Sequence, residues 1–117
     1  MLPRNARLSL KREFNQLKKQ AKVYSSRSFS LLLGPPNRRA GSAQFAFVVS
    51  KKIDRRAVSR NRVKRLLAAS VQPLLPQIKP SLTVVFLAKK DIVTASQKEL
   101  AQEIEAIFQK AAIFRSD

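Results

Sequence analysis

The side chains in this chain that could do chemistry are cations, and they crowd between Lys51 and Arg65, in the stretch KKIDRRAVSRNRVKR. Lys51, Lys52, Arg55, Arg56, Arg60, Arg62, Lys64 and Arg65 stand against one acid, Asp54, a net +7 in fifteen residues. Like charges at this density repel and do nothing for folding, so a polyanionic partner is the simplest reason to keep them. Arginine presents a planar fork suited to bidentate phosphate or base-edge contacts, which lysine cannot reproduce. Asn61, between Arg60 and Arg62, adds a neutral donor and acceptor for a base edge or a 2′-hydroxyl. The competing reading is a solvated basic face with no partner. It accounts poorly for a charge of +19 over residues 1–90 beside −2 over residues 91–117.

Other chemistries lack their residues. Histidine and cysteine are absent, which removes the commonest general base, thiolate nucleophiles, disulfides and Cys-based zinc sites. The seven acids are Glu13, Asp54, Asp91, Glu99, Glu103, Glu105 and Asp117, too scattered in sequence to suggest the converging carboxylates of a two-metal nuclease. Glu99, Glu103 and Glu105 are read as solvated helix-face charges paired with Lys98 and Lys110. With Gly34 and Gly41 the only glycines, there is no phosphate-cradling loop. A self-contained enzyme is not expected, nor is a metal site in the protein.

A second constellation interleaves Phe14, Tyr24, Phe29, Phe45 and Phe47 with Lys11, Arg12, Lys18, Lys19, Lys22 and Arg27. Rings beside cations suit single-stranded RNA, whose bases stack while its phosphates pair. The alternative is that most of these rings are core. Phe45 and Phe47 share one strand face, so both point inward or both point to a ligand.

These residues must be positioned by a single domain, residues 1–117, since 117 residues suffice for one core. The whole chain carries +17. No apolar run approaches the roughly 20 residues of a membrane span, and MLPRNARLSLKR lacks the apolar segment of a secretory signal. A cytoplasmic protein is the expectation, with no membrane partner. A basic amphipathic helix lying on an anionic membrane is a further reading, but it leaves Asn61 and the strands unexplained.

Leu10, Phe14, Leu17 and Ala21 recur at helical spacing behind the N-cap candidate Ser9. Ser28–Leu33 and Gln44–Ser50 read as strands joined in a hairpin through the turn cluster at Gly34, and Lys22–Ser26 as a short extra strand. A helix is predicted from about Arg55 to Val71. It turns Val63, Leu66, Leu67, Ser70 and Val71 inward and Asn61, Arg62, Lys64 and Arg65 outward, with Arg60 at the border. Pro73 and Pro76 stop it. Leu82–Ala88 is a buried central strand. Ser96-Gln97-Lys98-Glu99 is a capping box opening a last helix with Leu100, Ile104, Ile107, Phe108 and Ala111 inward. The class is α+β, one small sheet with packed helices.

On these residues the chain resembles a known family. The strand end FVVSKKI followed by AVSRNRVKRLL closely resembles the signature of the bacterial ribonuclease P protein subunit, with Ser50-Lys51-Lys52 and then Arg60-Asn61-Arg62. The likeness spans nearly the whole chain, including a basic N-terminal helix with an aromatic, a turn near residues 34–41 and a late strand ending LAKK. It implies an α-β-β-β-α-β-α fold resembling a ribosomal-protein domain, with a left-handed β-α-β crossover where general rules would give a right-handed one.

The resemblance implies a function as well. The RNA subunit is the catalyst, using magnesium bound chiefly by that RNA to remove the 5′ leader of precursor tRNA. The protein, one per RNA, binds the catalytic RNA and the leader. Lys51, Lys52, Arg55, Arg56, Arg60, Asn61, Arg62, Lys64 and Arg65 are then expected to face the catalytic RNA. Phe14, Lys18 and Phe47 are expected along a leader cleft between the first helix and the sheet. Two positions where the family often carries aromatics are Lys18 and Leu32 here, so that cleft would rely more on charge than on stacking. The alternative is a ribosomal or other structured-RNA-binding protein without an enzymatic partner.

Overall fold

A computed structural model of the protein describes residues 21–34 and 43–114. The expected first helix, with Phe14 and Lys18, and most of the turn near residues 34–41 lie outside the described residues. The elements run β1 (Lys22–Ser25), β2 (Phe29–Gly34), β3 (Gln44–Val48), α1 (Ala57–Val71), β4 (Thr83–Ala88) and α2 (Gln97–Lys110). Single 3₁₀ segments follow α1 at Gln72–Gln77 and β4 at Lys90–Thr94. Each strand and helix read from the pattern in this region is present, within about two residues of the expected ends.

The four strands form one mixed sheet in the order β1-β2-β4-β3. β1 pairs antiparallel with β2 and β2 antiparallel with β4, while β3 runs parallel to β4. The expected β2–β3 hairpin is therefore wrong. Val84, Val85 and Phe86 in β4 are all fully buried, so this strand needs cover on both faces and partners on both edges. It takes them by inserting between β2 and β3. The β3–α1–β4 connection is the parallel strand–helix–strand crossover that this order requires.

Alternation along the strands separates two faces. Phe29, Leu31, Phe45, Val84 and Phe86 face the larger core, which also takes Val63, Leu67, Ala68 and Val71 from α1 and Leu100, Ile104, Ile107 and Phe108 from α2. The Phe86 ring lies at its centre, 5.1 Å from Phe29, 5.4 Å from Phe47 and 6.0 Å from Phe108 between centroids. Leu32, Ala46 and Val85 are buried on the other face. Both Phe45 and Phe47 thus point to the helical layer, Phe45 buried and Phe47 partly so.

On α1 the structure exchanges two positions of the expected inner face: Ala68 is buried and Leu66 only half-buried. Ser70 is buried without loss because its hydroxyl donates to the Leu66 carbonyl at 2.8 Å. Of the interleaved rings in the described region, Phe29 and Phe45 are core side chains, and Tyr24 and Phe47 pack partly buried against the same core.

Candidate nucleic-acid interface

β3 ends at Val48, Val49 packs on the core, and the chain then reverses at once. The Ile53 N–H donates to the Ser50 carbonyl at 3.0 Å, which places Lys51 and Lys52 at the tip of a turn, both exposed. Ile53 returns to pack on the core. α1 starts four residues later. The Ser-Lys-Lys element is thus a turn that projects two ammonium groups beside the start of the basic helix.

Asp54, the one acid of the stretch, organises that start. Its Oδ1 accepts the Arg56 N–H at 2.9 Å and lies 3.5 Å from the Arg56 Nε. The Arg56 backbone hydrogen bond holds its carboxyl below the ordinary value; burial opposes this, and the Arg56 and Ser59 side chains and the Arg56 charge reinforce it. Arg60 acts from the other direction. Its Nη1 donates to the carbonyls of Asp54 at 3.1 Å and Arg55 at 2.9 Å. One carboxylate and one guanidinium therefore pin the segment leading into α1.

This arrangement divides the nine cationic and amide positions expected to meet RNA. Lys51, Lys52, Arg55, Asn61, Arg62, Lys64 and Arg65 are exposed. Arg56 is exposed too, with its guanidinium beside Asp54. Arg60 is half-buried, and two of its hydrogen bonds go to the chain's own backbone. Its spacing placed it at the border of the faces, but spacing could not show the carbonyls it reaches. Because Val63, Leu67 and Val71 are buried in the core, the outward side of α1 is fixed in orientation relative to the sheet.

The aromatic group is not brought together in the same way. Phe47 and Leu32 lie on opposite faces of the sheet, since Phe47 is aligned with Phe86 and Leu32 with Val85. One cleft cannot be lined by both. Phe14 and Lys18 fall outside the described residues.

Away from the basic helix, Glu103 has a role that sequence spacing concealed. Its Oε1 accepts the Ser26 hydroxyl at 2.7 Å and the Ser28 N–H at 3.0 Å, and its Oε2 accepts the Ser28 hydroxyl at 2.6 Å. It is no solvated partner of Lys98 or Lys110, as the expectation had it. Burial raises its pKa, but hydrogen bonds from Ser28 and Ser26 and the Arg27 charge outweigh that and leave it lowered. The Lys89 ammonium grips the same β1–β2 turn, donating to the Ser25 hydroxyl and the Ser26 carbonyl, each at 2.6 Å. Glu103 also borders a groove of about 430 Å³ with Arg27 and Asp91, which pair at 3.7 Å. Glu99 instead completes the expected cap of α2, its N–H donating to the Ser96 hydroxyl at 3.1 Å. Among the described residues no three carboxylates converge as a metal cage would need. No helix among them is long and apolar enough to cross a membrane.

A small mixed sheet carrying one rigidly oriented basic helix defines an α+β domain with a face complementary to a polyanion. The family model described as Ribonuclease P matches residues 2–112, and the chain belongs to that family. It is 33% identical over 118 residues to the ribonuclease P protein component of Synechococcus sp. (strain JA-2-3B'a(2-13)), an alignment covering 99% of this chain and 89% of that one. The corresponding protein of Syntrophomonas wolfei is 32% identical, covering 97% and 93%. Among solved structures, the Staphylococcus aureus ribonuclease P protein superposes with a TM-score of 0.83 at 19% identity, covering 94% of this chain and 98% of that one. The Thermotoga maritima protein gives 0.78 at 19% identity, covering 89% and 96%. The sheet order and helices described above are the fold of those proteins.

Proposed function

We propose that this chain is the RNA-positioning subunit of a ribonucleoprotein ribonuclease P whose active site is made of RNA, and that it supports removal of the 5′ leader from precursor tRNA. The observation that carries this reading is the outward side of α1 with the turn before it. Lys51, Lys52 and Arg55 are exposed in the segment before the helix, and Asn61, Arg62, Lys64 and Arg65 are exposed on the helix itself, whose other side is anchored by Leu67 and Val71. That surface binds the catalytic RNA. Arg60 and Arg56 contribute chiefly by holding the entry to the helix, with their remaining donors free for phosphate. The leader lies along Phe14 and Lys18, and Phe47, packed on Phe86, adds only the part of its ring left uncovered. Magnesium is bound chiefly by the RNA, one protein serves one RNA, and the complex works in the cytoplasm.

The protein's own residues supply binding and orientation in this scheme, and the hydrolytic step belongs to its partner. Reconstitution tests it: the protein, inert alone, is expected to let a bacterial ribonuclease P RNA cleave precursor tRNA at low magnesium. Cleavage no faster than with the RNA alone would reject the assignment and leave generic RNA binding.

A further inference from the structure

The basic face of α1 is not uniformly basic. Val58 is 82% exposed, the most exposed large hydrophobic side chain among the described residues. A lone exposed valine is ordinary on a protein surface; its place on this helix is what matters. Residues three, four and seven apart share a helix face, so Val58 stands in one row with Asn61, Arg62 and Arg65, all exposed. Exposed Ala69 continues the row one turn beyond Arg65. The middle of the face is therefore apolar at both ends with two arginines between.

Neither folding nor phosphate binding accounts for a valine at this position. It makes no core contact, and β-branching disfavours the helix relative to alanine. A phosphate gains nothing from an isopropyl group. An apolar side chain between exposed cations, Arg55 before the helix and Arg62 one turn on, is, however, an arrangement in which closure of the charged flanks on a partner excludes water from the apolar contact. RNA supplies a matching surface in the ribose and base faces of unpaired nucleotides, which a regular duplex keeps stacked.

We propose that Val58 is a specificity-determining contact, seated against a sugar or base face of the catalytic RNA, while Arg62 and Arg65 hold the flanking phosphates. This rests on the reading of α1 as the helix that binds that RNA. The cations then give affinity for any RNA, and Val58 gives preference for a surface of the right shape.

Equilibrium binding across a salt series tests this, using an in vitro transcribed bacterial ribonuclease P RNA and, separately, a random-sequence RNA duplex. Val58→Ala is expected to weaken binding to the ribonuclease P RNA about ten- to fifteenfold, the loss from removing two buried methyl groups. It leaves the salt slope and the duplex affinity unchanged. Alanine is the better helix former, so helix loss cannot explain that result. Val58→Ile retains binding. Arg62→Ala weakens binding to both RNAs and lowers the salt slope by about one. Wild-type affinity in Val58→Ala, or an equal loss on both RNAs, beside a weakened Arg62→Ala would overturn the role of Val58 and leave the helix at the interface. No change in either variant would overturn both.

Discussion

The Arg60 guanidinium donates to the Asp54 carbonyl at 3.1 Å, across the start of the helix that carries the basic face. Arg60 and Arg62 stand two residues apart in an Arg-Asn-Arg tripeptide, yet they do different work. Arg60 braces the turn into α1, whereas Arg62 is exposed.

Arg60→Ala should therefore cost stability, about 1–2 kcal/mol for two charge-assisted hydrogen bonds at a half-buried site. Arg62→Ala should leave stability within about 0.5 kcal/mol of wild type and weaken binding to the catalytic RNA by roughly 1–3 kcal/mol. Urea unfolding and equilibrium binding on the two variants separate these effects. Equal stability losses would show that the tripeptide does not divide in this way.

The Glu103 clamp gives a pH dependence with a definite sign. Its folded pKa lies below the ordinary 4.5, so the ionised carboxylate favours the folded state. That contribution is fully present above 4.5 and is lost as pH falls through the lower folded value. Glu103→Gln should lose about 1 kcal/mol at neutral pH, discounted for partial exposure. It should also show a shallower decline in acid than wild type. Parallel acid profiles for the two proteins would mean that Glu103 is not the titrating link.

Much of this arrangement was legible from residue types. Val63, Leu67 and Val71 recur at helical spacing opposite Arg62 and Arg65, and burial follows that division. The unbroken apolar run of β4 marked it as central. What could not be read was pairing between distant segments. Proximity in sequence favoured β2 with β3, but β4 satisfies both strands at once, an outcome decided by the whole sheet. Glu103 meets Ser28 across 75 residues, and no local pattern reports such a contact. Arg60 lies half-buried at the border of the faces, as its spacing implied, but its partners are nearby carbonyls, which every residue possesses and no side-chain spacing reveals. Val58 left a signal in the sequence, a β-branched apolar residue among cations, but only its exposure gave that signal meaning.

Orientation of the basic face depends on its anchor. Leu67 is fully buried among residues of the sheet and both helices. Leu67→Ala should destabilise the protein by about 2–5 kcal/mol, the usual cost of a large cavity. Thermal or urea unfolding checks this; a loss below about 1 kcal/mol would mean the core closes over the gap without strain.

The end of α2 offers a stabilising change. Ala112 adopts a left-handed backbone, φ 56°, while the Ile113 N–H reaches the Phe108 carbonyl at 3.0 Å and the Ala112 N–H the Gln109 carbonyl at 3.2 Å. These bonds form a Schellman cap, where glycine carries no steric penalty. Ala112→Gly should raise stability by about 0.5–1 kcal/mol, the relieved strain exceeding the added freedom of the unfolded chain. A loss of stability in urea unfolding would contradict that balance.

The central claim is that the outward side of α1 positions a catalytic RNA. Its most direct measurement is the initial rate of precursor tRNA cleavage at low magnesium by a bacterial ribonuclease P RNA, with wild-type protein or with the Arg62→Ala, Arg65→Ala double variant. Both substitutions are at exposed positions, and circular dichroism should show an intact fold. The account predicts that wild-type protein stimulates cleavage and that the folded variant loses most of the stimulation at equal concentration. Full stimulation by the variant would contradict it.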